Sequence, residues 1–166
     1  MGRTCKPNKT TASQSHPVAN ETNSIQTLNI RGTFLVTQAF LNLLPSPTTP
    51  AKIVTLTTSA AYDVFFSLSA YGISKLAALE LMAYVAAENP GVVAVAVHPG
   101  VVPTDMVIGS FKRFAGDTPG LVSGLGVWLA AWSGVDRRFL NGRFVSANCK
   151  LVMVLLFGWM SALTAG

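Results

Sequence analysis

Charge is what this 166-residue chain has least of. Asp, Glu, Lys and Arg make up 11% of it, where soluble domains carry about a quarter. Half of its residues are hydrophobic, so it has more to bury than to solvate. That balance points to strands buried on both faces, or to a membrane or subunit contact. The formal charge of +5 is spread out, with Arg3, Lys6 and Lys9 early and Lys112, Arg113, Arg137, Arg138 and Arg143 late. No stripe of cations interleaved with aromatics forms, so no nucleic-acid partner is expected. Cysteine is nearly absent. Cys5 and Cys149 stand far apart, with no second Cys or His at ligand spacing, which argues against a metal site and fits a reducing, cytoplasmic compartment. Glycine is missing from Arg3 to Arg31, so no glycine turn can cradle a phosphate there. The opening residues also lack the apolar run of a secretory signal.

What is present alternates in type. Residues 1–24 are rich in Thr, Ser, Asn and Pro and read as a disordered leader. Apolar positions from Ile25 to Leu44 recur at helical spacing and stop at Pro45. Ile53–Thr57 is a β-branched strand, Ser69–Glu88 a second helix halted by Asn89-Pro90-Gly91, and Val92–Val97 a continuously apolar strand of the kind buried in a parallel sheet. A helix over Leu121–Trp132 and a strand over Arg143–Ser146 complete the series. This rhythm predicts an α/β fold, a parallel sheet with helices on both faces. The length suits one domain, over residues 25–148. Residues 149–166 form an apolar tail, somewhat short of the roughly 20 residues a membrane span needs. It reads as a buried terminal helix, a weak membrane anchor or an unpackable appendage. A membrane-associated location through 151–166 is the alternative to a cytoplasmic one.

Tyr71-Gly72-Ile73-Ser74-Lys75 carries the most chemistry. Residues four apart share a helix face, so the Lys75 ammonium can lie close to the Tyr71 phenol. A nearby cation favours the phenolate, and such a pair can move a proton at a carbonyl or alcohol oxygen. Thr57, Thr58 and Ser59 stand at the carboxyl end of the first strand, where ligand chemistry occurs in open α/β sheets. Pro99-Gly100-Val101-Val102-Pro103-Thr104 forms a tight loop at the corresponding end of the next strand.

Together with Asn29-Ile30-Arg31-Gly32, and in this order and at these intervals, the set resembles the short-chain dehydrogenase/reductase family. The resemblance covers residues 25–148 and is similar to fungal members with a Ser-Ala-Tyr-Gly-x-Ser-Lys core. It implies a Rossmann-like fold and an oxidoreductase that uses NAD or NADP on a small-molecule carbonyl or alcohol. Tyr71 would be the acid–base residue. Lys75 would lower its pKa and bind the nicotinamide ribose. Asn29, at a kink in its helix, would hold a water of the proton relay. Pro99, Gly100, Val102 and Thr104 would line the nicotinamide pocket. The two long helices resemble those of the family's dimer interface, which implies a homo- or heterodimer.

Two departures stand out. The family's substrate-orienting serine, thirteen positions before the tyrosine, falls on Thr58, with Ser59 one residue closer. A threonine keeps the hydroxyl but restricts χ1, and the pair is carried forward together. The glycine-rich phosphate turn and the residue that selects the cofactor are missing. Only the last three strands of the family's sheet would remain, the first with an open edge. A leader and a tail unlike the family flank a well-matched middle, which implies a truncated or mis-spliced product of impaired activity. It could survive as a non-catalytic partner of a full-length relative. Phe111, Phe114, Trp128 and Trp132 follow the loop at spacings that favour core packing over an apolar lid.

Overall fold

A computed structural model describes residues 23–107, 109–131 and 139–148. Most of the expected leader, Trp132 and the apolar tail lie outside them. Three strands, β1 (Ala51–Leu56), β2 (Val92–His98) and β3 (Arg143–Ser146), form a parallel sheet in the order β1-β2-β3. Ala51 pairs with Val92 and Leu56 with Val97, while Val95 pairs with Arg143 and His98 with Ser146. The α/β architecture expected from the sequence is the one found.

β2 is central, and its alternation sorts the core into two layers. Val92, Ala94 and Ala96 pack with Leu79, Met82, Val85 and Phe144 on one face. Val95 and Val97 pack with Leu129, Leu140 and Val145 on the other. The first layer is roofed by α2 (Ser69–Glu88), whose bounds match the expectation. Met82 is fully buried in it. By length and composition α2 could cross a membrane, yet its buried stripe of Leu79, Met82 and Val85 belongs to this core. The second layer is covered by α3 (Pro119–Ala131). Proline suits the first turn of a helix because its missing N–H has no partner to lose there, which explains a start two residues earlier than expected.

Ahead of the sheet, the first helix departs from regularity. Helical residues begin at Asn23, so the expected leader is already ordered at its last two positions. A π-helical stretch, Gln26–Gly32, then runs into α1 (Thr33–Leu43). The irregularity implied around Asn29 lies in this stretch.

β1 lies at the edge of the sheet. Ile53 contacts the core under α2, whereas Val54 and Leu56 on the other face are 40% and 52% exposed. α1 likewise exposes Phe34, Leu35 and Val36. One expectation fails among the aromatics. Phe114 and Trp128 are 58% and 44% exposed rather than core. Their helical spacing is real, but the faces that carry them turn away from the two core layers.

Candidate active site

The carboxyl ends of β1 and β2 hold the residues singled out above. β1 ends at Leu56 rather than Thr57, and Thr57 continues the chain with its N–H on the Val97 carbonyl at 2.7 Å. The Thr57 hydroxyl, buried, donates to the Lys75 carbonyl at 2.9 Å. The Lys75 ammonium donates to the Leu56 carbonyl at 3.2 Å. Two bonds running in opposite directions thus fix the second turn of α2 to the end of β1.

The first turn of α2 is held by close approach. A 3-10 turn, Ser59–Ala61, follows Thr57 and Thr58. A Cβ added to Gly72 would stand 2.6 Å from the Ala60 carbonyl oxygen, so only glycine lets the helix come this near. Tyr71 is thereby set beside the Thr58/Ser59 turn. The two hydroxyl residues differ in their engagements. Thr58 caps the 3-10 turn, its side chain accepting from the Ala60 N–H at 3.4 Å. Among the described residues the Ser59 hydroxyl has no hydrogen-bond partner.

Tyr71 and Lys75 lie one helical turn apart, with the Lys75 nitrogen 5.9 Å from the centre of the Tyr71 ring. Burial pushes the Tyr71 phenol above its ordinary 10.0 and the Lys75 ammonium below its ordinary 10.5. The expected lowering of Tyr71 by Lys75 is therefore not the direction found. The ammonium lies over the ring with one proton given to the Leu56 carbonyl, and desolvation of the phenolate prevails. The phenol oxygen itself has no hydrogen-bond partner among the described residues.

Asn29 joins the site from the π-helical stretch. Its amide donates to the Ser74 hydroxyl at 3.1 Å, and that hydroxyl donates to the Tyr71 carbonyl at 2.7 Å. Ser74 is completely buried, so it forms a relay of contacts between Asn29 and the backbone of the tyrosine. The sequence shows Ser74 as a fixed member of the Ser-Ala-Tyr-Gly-x-Ser-Lys core, and its bridging role emerges only in the fold.

Across the site, Gly100 turns the loop after β2 with a φ of 83°, a conformation that favours glycine. Val101 is tied to Asp117 in both directions, its N–H to the carboxylate at 2.7 Å and its carbonyl to the Asp117 N–H at 3.3 Å. Pro99 and Val102 are half-buried while Pro103 and Thr104 are exposed. Asp117 was not anticipated, because nothing in its local sequence marks it. Beneath the loop, His98 is buried and stacks on Phe144 at 6.4 Å between centroids. Burial lowers its pKa below 6.5, opposed by the charges of Asp117 and Asp63.

The flanking segments meet through aromatics. Phe65 and Phe111 make an edge-to-face contact at 5.3 Å, and Phe111 neighbours Phe114 at 6.5 Å. Arg113 lies 4.6 Å over the Phe114 ring. This contact joins the chain leaving the Ser59–Ala61 turn to the chain leaving the Pro99–Thr104 loop.

The described residues contain no cluster of metal-ligating side chains. A half-buried phenol and an ammonium share one helix face, beside a tight loop at the end of the neighbouring strand.

Known proteins share the family and the fold of this chain. The family model for short chain dehydrogenase matches residues 8–113. The short chain dehydrogenase tazN of Aspergillus terreus is 35% identical over 75% of this chain and 28% of its own length. The short chain dehydrogenase pigC of Monascus ruber is 36% identical over 73% of this chain and 41% of its own. The chain thus spans well under half the length of these curated relatives. A short chain dehydrogenase from Salmonella enterica serovar Typhi superposes with a TM-score of 0.67 at 25% identity, covering 82% of this chain and 56% of the other. One from Burkholderia cenocepacia, in complex with NADP, superposes at 0.66 and 21% identity over 83% and 61%, a likeness of fold.

Proposed function

The chain belongs to the short chain dehydrogenase family, and on that premise we propose that it carries the nicotinamide-side and substrate-side part of an NAD- or NADP-dependent oxidoreductase acting on a carbonyl or alcohol. One observation carries the proposal. The first two turns of α2 are clamped to the carboxyl end of β1 and the turn that follows it by Gly72, Thr57 and Lys75, and the Tyr71 and Ser59 hydroxyls have no hydrogen-bond partner among the described residues.

In this reading Tyr71 gives its proton to the substrate carbonyl oxygen during reduction and recovers it during oxidation. Burial keeps the phenol protonated at neutral pH, which suits the donor role. Ser59 is the better placed of the hydroxyl pair to hold the substrate oxygen, since Thr58 already caps its turn. Lys75 retains two donor protons after the Leu56 contact and would hold the nicotinamide ribose. Asn29, through Ser74, fixes the backbone of Tyr71 and can carry a water toward Lys75. Pro99, Gly100, Val102 and Thr104 would line the nicotinamide. The dinucleotide, when bound, supplies or accepts the hydride. With no glycine turn between Gly2 and Gly32, the chain by itself is expected to hold the pyrophosphate poorly and to turn over slowly.

Half-buried Phe65 and Phe111, with exposed Phe114, would face the non-reacting part of the substrate. The test is NADPH- or NADH-dependent reduction of a panel of aldehydes and ketones by the purified chain. Turnover that disappears in Tyr71→Phe without a change in fold supports the reading. Turnover unchanged by that substitution sinks it.

A second reading has an observation of its own. α1 exposes Leu35 and Val36, and α2 exposes Ile73, Leu76 and Tyr84, an apolar surface on the helices that resemble the family's dimer interface. We propose that these faces pair with another copy or with a full-length relative, as a non-catalytic subunit if turnover is lacking. Co-expression with a defined full-length relative, followed by size-exclusion chromatography, tests it. Separate elution of the two chains would count against it.

A further inference from the structure

We propose that Asp117 is the positioning residue that sets the conformation of the Pro99–Thr104 loop, an inference that rests on the reading of that loop as the nicotinamide wall. Loops at strand ends need a fixed backbone if they are to present groups to a ligand. This loop has few means of its own. Pro99 and Pro103 have no N–H, and the Gly100 N–H reaches only the His98 ring nitrogen, at 3.4 Å. The strong tether is the Asp117 carboxylate. Its Oδ2 accepts from the Val101 N–H at 2.7 Å and from the Asn148 amide at 3.2 Å. The Asp117 N–H returns a bond to the Val101 carbonyl at 3.3 Å.

The same oxygen explains Gly100. A Cβ there would stand 2.3 Å from Oδ2, so the carboxylate fills the space a side chain would need. Glycine at this position is required twice, by the positive φ and by the carboxylate. Asn148 is fixed in turn. Its carbonyl oxygen lies 2.7 Å from the Ser146 hydroxyl, and the next residue back, Ala147, donates to the His98 carbonyl at 2.9 Å. One carboxylate oxygen thus joins the exit of β2, the entry of α3 and the exit of β3. Val101, the residue it grips, lies between the two positions, Gly100 and Val102, assigned to the nicotinamide.

Both side-chain bonds use a single oxygen as acceptor, so an acceptor oxygen at this position is what the loop requires. The conservative variant Asp117→Asn keeps such an oxygen, and Asp117→Ala does not. Backbone amide exchange in the full chain without cofactor, with cofactor KM and kcat alongside, tests this. In Asp117→Ala, exchange of the Val101 amide should rise about tenfold or more, the effect of losing a hydrogen bond to a charged group. Cofactor KM should rise by a similar factor with kcat much less affected. Asp117→Asn should restore both to within about threefold, and Asn148→Ala, which removes one of the two donors, should fall between them. Unchanged Val101 exchange in Asp117→Ala overturns the proposal, as does faster exchange with an unaltered cofactor KM, or failure of Asp117→Asn to rescue. Should the wild-type chain bind no cofactor, the reading of the loop as a nicotinamide wall fails, and the exchange measurement and its rescue still decide the loop-setting role of Asp117. If Asp117→Ala does not fold, Asp117→Asn and Asn148→Ala supply the comparison.

Discussion

Replacing Gly72 by alanine sets two physical effects against each other. Alanine in a helix is favoured over glycine by about 0.8–1 kcal/mol, so propensity alone predicts a more stable protein. The structure predicts the opposite. The new Cβ would stand 2.6 Å from the Ala60 carbonyl oxygen and 3.6 Å from its carbon. That oxygen belongs to backbone held by the bonds from Ala61 to Thr58 at 3.1 Å and from Tyr62 to Ser59 at 3.0 Å, so it cannot swing aside as a side chain could. Relief requires α2 and the turn to part by about half an ångström, and forced overpacking of this kind costs about 1–3 kcal/mol. The net expectation is a loss of up to about 2 kcal/mol, or a fall in Tm of up to about 8 °C for a chain of this size. Gly124 supplies the control. It lies in α3 with nothing within 4 Å of its added Cβ, so Gly124→Ala should gain up to about 1 kcal/mol. Urea and thermal unfolding of both variants, followed by circular dichroism, read the two signs. If Gly72→Ala stabilises the protein as Gly124→Ala does, the close approach that places Tyr71 beside the Thr58/Ser59 turn is wrong.

Ser74→Ala removes a buried hydroxyl that bridges Asn29 to the Tyr71 carbonyl. It should lower stability by about 1–3 kcal/mol and slow turnover, and Asn29→Ala in the same background should add little further loss, as a double-mutant cycle would register. Met82→Ala empties the centre of the layer under α2, where Met82 is fully buried. It should cost about 2–5 kcal/mol by chemical denaturation. The pH dependence of stability follows from His98. Its folded pKa lies below 6.5 because of burial, so the unfolded chain binds the proton more readily, and stability falls as pH drops below that value. His98→Gln should flatten the decline between about pH 7 and pH 5. An unchanged slope would place the acid sensitivity elsewhere.

How much of this was legible beforehand differed by element. α2 and β3 were readable to the residue, because an uninterrupted helical run between turn formers and a short strand with Phe144 and Val145 just after Asn141-Gly142 leave little ambiguity. β1 was placed two residues late at its start, since Ala51 and Lys52 have no strand propensity. Their pairing with Val92 and Val93 decides their state, and that is a tertiary effect. The 3-10 segments at Ser59–Ala61 and Gly109–Phe114 were missed for a similar reason, being one and two turns long and set by the elements around them. Within the site, Tyr71, Lys75 and the hydroxyl pair stood out because their spacing has a helical meaning. Asp117 did not, because a carboxylate in a loop has no pattern until the fold brings Val101 and Asn148 to it. The aromatics misled in the other direction. Spacing alone cannot tell which side of a helix the sheet will cover, and Trp128 turned outward.

The central claim is that Tyr71, Lys75 and the Pro99–Thr104 loop form the receiving site for a nicotinamide. Titration of the purified chain with NADH and NADPH, followed by cofactor fluorescence in the wild type and in Lys75→Met, tests it most directly. The account predicts saturable binding in the micromolar to submillimolar range, weakened about tenfold or more by the substitution. Absence of saturation up to about millimolar cofactor, or binding indifferent to Lys75, would contradict it.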